Sequence, residues 1–141
     1  MNANECLFDN NVWQSWVEDA NDKINDPANR VVIYKDKQEE SPEPTLDELK
    51  GKVCVYAIWE NDTIRYIGKS TDGNERLIDH VKKEAHGKHH SMNALVMQSV
   101  SNGNKISLSA AVVSRQIYSS VEENLIQRYN LKKNGWNGRI G

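Results

Sequence analysis

Apolar positions recur at helical spacing from Val12 to Ile24, where Trp13, Trp16, Val17, Ala20 and Ile24 predict an amphipathic helix. Asn10 or Asn11 is its expected cap, and Asn25-Asp26-Pro27 its end. Arg30 to Tyr34 holds a β-branched run compatible with a short strand. Lys35 to Pro44 is charged, contains two prolines and reads as a loop. Thr45-Leu46-Asp47-Glu48 fits a capping box, with a short helix ending near Gly51. The pattern changes at Lys52. Val53 to Glu60 and Ile64 to Lys69 are β-branched and aromatic, and Asn61-Asp62 separates them, which predicts a β-hairpin. After the polar stretch Ser70 to Asn74, Leu77, Ile78 and Val81 predict a helix from Glu75 to His86, stopped by Gly87. Ser91 is the expected cap of a further helix using Met92, Leu95, Val96 and Val100 and ending at Asn102-Gly103. Ile106, Leu108, Ala110 and Val112 alternate with Ser107 and Ser109 as a third strand. Ser119 or Ser120 is expected to cap a last helix reaching about Tyr129, with Val121, Leu125 and Ile126 turned inward. This order predicts an α+β fold: a small, mainly antiparallel three-stranded sheet flanked by helices, behind an N-terminal helical extension.

The 141 residues suit one compact domain with an appendage, and 38% hydrophobic with 27% charged content excludes wholesale disorder. The longest apolar run, Val53 to Trp59, falls far short of the ~18 residues that span a bilayer, so no membrane partner is expected. Met1 to Asn11 lacks the basic start and apolar stretch of a secretory signal. Two cysteines, Cys6 and Cys54, make neither a disulfide framework nor a four-thiolate zinc site, and a cytoplasmic location is expected. Charge divides the chain. Residues 1–50 carry 5 Lys+Arg against 12 Asp+Glu, whereas residues 51–141 carry 13 against 8 and all four histidines. The expected organisation is an acidic extension, 1–50, before a basic functional core, 51–141, and basic cores favour polyanions such as nucleic acid.

Within that core, Val55-Tyr56 is followed by Tyr66-Ile67-Gly68, then Arg76 and His80, and much later by Glu122 and by Asn137 in Asn134-Gly135-Trp136-Asn137. In sequence, spacing and predicted element order this set resembles the GIY-YIG nuclease family, over about residues 51–141. The first motif reads Cys54-Val55-Tyr56 where the family usually has Gly-Ile-Tyr. The resemblance implies a metal-dependent DNA endonuclease using Mg²⁺ or Mn²⁺. It also implies Tyr56 as general base, Tyr66 completing a hydroxyl cluster, Arg76 and His80 at the phosphate, Glu122 on the metal, and Asn137 orienting a phosphate or a helix end. The alternative is a catalytically silent nucleic-acid-binding module of the same fold.

The residue types agree with that chemistry. Ionising a tyrosine of pKa near 10 at pH 7 costs ~4 kcal/mol, and a neighbouring cation offsets part of it; Lys69, just after the second motif, is the candidate. Arg76 and His80, four apart, share a helical face, and a guanidinium suits phosphoryl oxygens. One glutamate suffices for a hard cation completed by water and phosphate. Glu122 matches the family spacing, while Glu123 is turned ~100° round the helix toward solvent. His86, His89 and His90 lack acidic or cysteine partners at zinc-ligand spacing.

Tyr56 and Tyr66 share a sheet face only if the register sum is even, which predicts Trp59 opposite Thr63 across a three-residue turn, Glu60-Asn61-Asp62. One chain supplies one set of catalytic candidates, and Trp13 and Trp16 add apolar surface, so a homo-oligomer, most simply a dimer, is expected.

Overall fold

The computed structural model describes residues 10–34, 51–71 and 90–138. The two expected helices over 45–51 and 75–86, together with Arg76, His80, His86 and His89, lie outside the described residues in whole or in large part. Helix α1 (Asn10–Asn25) leads through a single 3-10 turn (Pro27–Asn29) to strand β1 (Val31–Tyr34). The core follows as β2 (Cys54–Glu60), β3 (Thr63–Ser70), α2 (His90–Ser101), β4 (Ile106–Val112), α3 (Tyr118–Arg128) and a short α4 (Leu131–Asn134). The three expected strands are present, and β1 adds a fourth, in the order β1-β4-β2-β3, every neighbouring pair antiparallel.

Helices cover both sheet faces. On one, Tyr56, Ile58, Leu108 and Ala110 pack with Val96 and Val100 of α2 and with Trp136. On the other, Val55, Ala57, Trp59 and Ile67 pack with Val17, Ala20 and Ile24 of α1 and with Val121, Leu125 and Ile126 of α3. The inward residues of α1 and α3 are among those the periodicity selects, but Trp16, which it also selects, is exposed. The N-terminal segment is thus fastened into the core. Arg30 strengthens the join, stacking 3.7 Å from the Trp59 ring centre and pairing with Asp62 at 3.1 Å.

Two local expectations need correction. Trp59 does not face Thr63: the turn is the two residues Asn61-Asp62, with Asn61 at φ 54° and Glu60 opposite Thr63. The register then shifts between Ile58 and Trp59, leaving Arg65 as the extra residue of a β-bulge. Beyond it Ile58 faces Tyr66 and Tyr56 faces Gly68, so the even register returns and both tyrosines share the face the parity rule requires. Second, neither Ser119 nor Ser120 caps α3. The helix starts at Tyr118 with Ile117 in the capping position and no side-chain cap. Among the described residues, no helix is long and apolar enough to cross a membrane.

Candidate active site

The site is built on the outer strand β3. Tyr56 projects from β2 toward Gly68 directly opposite, where a Cβ would lie 2.5 Å from its Cζ and hydroxyl and 2.8 Å from Cε1 of Tyr66. The missing side chain is what lets the Tyr56 ring cross β3. Tyr66 lies beside it, with ring centroids 6.0 Å apart and planes tilted by 45°. The two phenols are hydrogen-bonded to each other, which raises Tyr56 and lowers Tyr66.

Glu122 comes from the first half of α3, one helical turn before Ile126. Burial lifts its carboxyl above the ordinary glutamate value, Lys69 opposes that lift, and Glu123 adds to it. Its negative charge raises both phenols in turn. Tyr56, nearly fully buried, stands well above the usual phenol value, chiefly through desolvation and then through Tyr66 and Glu122. Burial and Glu122 also raise Tyr66. Lys69 has a different neighbourhood from the one expected. Its ammonium donates to Ser119 Oγ at 2.8 Å, lies 5.3 Å from the Tyr118 ring centre, and exerts its charge on Glu122. Glu123 points elsewhere, pairing with Lys132 at 3.2 Å and accepting from Gln127 on the exposed surface, which holds its carboxyl below the ordinary value.

Asn137 sits at the outer edge of β3. Its Nδ2 donates to the Ile67 carbonyl at 2.8 Å, and its Oδ1 accepts from the Ile67 N–H at 3.1 Å. The Trp136 N–H donates to the Arg65 carbonyl at 2.6 Å. Both ends of the Asn137 amide are therefore spent on the backbone of the second motif. Cys54, standing where the family has glycine, is fully buried on the Tyr56 face, and β2 still pairs with β4 without a register shift. The extra side chain is accommodated in the core and does not tilt the strand.

Glu122 thus acts electrostatically on both phenols and Lys69 on Glu122, while Asn137 holds the strand that carries Tyr66 and Lys69. Ser119 and Tyr118 are the members that sequence reasoning missed. Ser119 stood out only as a helix cap, and its partner Lys69 lies 50 residues away.

Two phenols, one on the inner strand β2 and one on the outer strand β3, thus stand with a helix-borne carboxylate whose charge reaches both. The model of the GIY-YIG catalytic domain matches residues 52–135, more than half of the chain, and the chain belongs to that family. No curated protein and no solved structure gives a match. Membership supports a nuclease-type function with a nucleic acid substrate, and nucleases of this family generally depend on divalent metal. The donor set fits such an ion. Glu122 is a half-buried carboxylate whose one opposing cation does not outweigh its desolvation, so it is short of positive charge. Among the described residues no three His, Cys, Asp or Glu groups converge, which suits a site completed by water and phosphate oxygens.

Proposed function

We propose that the chain is a divalent-metal-dependent endonuclease hydrolysing DNA phosphodiester bonds, with Tyr56 as general base for water and Glu122 as the single protein ligand of Mg²⁺ or Mn²⁺. The observation that carries this reading is a pair of hydrogen-bonded phenols that both feel the charge of a half-buried glutamate, itself opposed by one ammonium. Tyr56 can take a proton from water only after releasing its own, and Tyr66 can relay that proton only by passing its own phenolic proton to solvent as it accepts. Burial and the Glu122 charge oppose ionisation in the free protein. Glu122 would hold a divalent ion, whose positive charge would counter this field and offset that of the phosphoryl oxygens. Lys69 adds a further positive charge at the phosphate, and the family pattern gives Arg76 and His80 the same duty. Asn137 acts at one remove, by holding the strand that carries Tyr66 and Gly68.

The test is metal-dependent nicking of plasmid DNA. Tyr56→Phe and Glu122→Ala are each expected to remain folded and to lose at least ~100-fold in rate, typical of losing a positioned proton-transfer or electrostatic group. Full activity in Glu122→Ala with none in Glu123→Ala would assign the role to the other carboxylate. The second reading, a silent binding module, draws on Cys54 and on the strong resistance of Tyr56 to ionisation. Tight DNA binding by a wild-type protein that cleaves with neither Mg²⁺ nor Mn²⁺ would favour it.

A further inference from the structure

We propose that Ser119 and Tyr118 are positioning residues that hold the Lys69 ammonium beside the scissile phosphate, keeping it restrained while leaving its charge free. This inference deepens the nuclease reading and rests on it for the role of Lys69.

Lysine carries a compact point charge on a flexible four-carbon stem. Lys69 is exposed on an outer strand, where an unheld ammonium would disperse into solvent. Two features of α3 restrain it. Ser119 Oγ accepts from Nζ at 2.8 Å, and the Tyr118 ring offers a face 5.3 Å away. The backbone makes both available. The bulge at Arg65 puts Lys69 on the sheet face covered by α3, and the helix begins at Tyr118 with no side-chain cap, which leaves the Ser119 hydroxyl uncommitted to backbone.

The chemistry of the holders is the informative part. The first turn of α3 contains no acidic residue. A carboxylate there would bind the ammonium more strongly but would also neutralise it. A hydroxyl and an aromatic ring fix its position and leave its unit charge for an incoming phosphoryl oxygen. Among the described residues Glu122, one turn further along, is the carboxylate on which its charge acts, and it belongs to the metal under the proposed function. Charge that is oriented before reaction needs no reorganisation during it.

The experiment combines a double-mutant cycle with a direct view of the ammonium. In the full chain, Ser119→Ala and Tyr118→Leu are each expected to lower the cleavage rate constant at saturating DNA by about 10-fold, with KM changed less than 2-fold, because misplacing a reacting group costs rate. Ser119→Thr, which keeps the hydroxyl, is expected to restore it. In a Lys69→Met background, Ser119→Ala should cause no further loss; a further loss of the same size would overturn the proposal. Separately, ¹⁵N-detected spectra of lysine ammonium groups should show a slowly exchanging Lys69 signal in wild type and Ser119→Thr, broadened in Ser119→Ala. Equal exchange in all three would overturn the proposal. If wild type fails to cleave, the nuclease reading falls, and these spectra still decide whether Ser119 holds Lys69.

Discussion

Gly68 shows how one missing side chain sets the site. Its Cβ would stand 2.5 Å from the tip of the Tyr56 ring, so Gly68→Ala must displace that ring within a packed core. Overpacking of this kind costs about 1–3 kcal/mol, and urea denaturation should register it together with loss of cleavage. Glu122 gives a prediction of the opposite sign. Its carboxyl is raised above the ordinary value, so the native state holds that proton more tightly than the unfolded chain does. Its contribution to stability therefore falls as pH rises from the ordinary carboxylate value through the raised one, and the ionised group is unfavourable at neutral pH. Glu122→Gln should abolish cleavage yet raise Tm at pH 7, and the gain should vanish at low pH, where wild-type Glu122 is itself neutral. A lower Tm at pH 7 in the Gln variant would show that its surroundings stabilise the carboxylate.

At the level of the hairpin and its attached C-terminal segment, the resemblance implied that Tyr56 and Tyr66 cluster, and alternation turned that into an even register. The device that achieves it was not legible. The bulge depends on what Arg65 meets: its carbonyl receives the Trp136 N–H, and its side chain lies 3.7 Å from Glu60 and 5.8 Å from the Trp136 ring centre. Glu60 belongs to the expected turn, but Trp136 lies far along the chain, beyond what a local pattern describes. The start of α3 failed for a similar reason, since the rule that serines cap helices holds only when nothing distant claims the hydroxyl. Asn137 was legible as a member of the motif but not in its manner of action, which needs the geometry of the Ile67 edge. Asn137→Ala removes both bonds to Ile67 and leaves a part-buried N–H and carbonyl unmet, at a cost of about 1–3 kcal/mol. Hydrogen exchange at the Ile67 amide should accelerate, while amides in α1 should keep their wild-type order of protection.

For the molecule as a whole, the acidic N-terminal segment and the basic core share one interior where both are described. Val17 and Ile24 are fully buried against the sheet. Glu18 pairs with Arg128, and Tyr129 bonds to Asn21 and Asn25. The periodicity of α1 made its apolar side legible, but no local pattern said which surface would receive it. Ile24→Ala should cost about 2–5 kcal/mol, the range for truncating a buried isoleucine. A chain starting near Leu46 would leave the inner face of β4 and α3 uncovered and is expected to lose cooperative unfolding in calorimetry. A sharp transition at the wild-type Tm in the shortened chain would contradict this.

The bonds that Trp136 and Asn137 make along β3 also bear on how copies of the chain meet one another. An outer strand with unmet backbone groups is a template on which another chain can add a strand. Here the Arg65 carbonyl and both backbone groups of Ile67 are already taken by the same chain. These three groups are therefore not offered to a second copy. Removing residues 135–141 would free them, and light scattering that grows with concentration is the expected result.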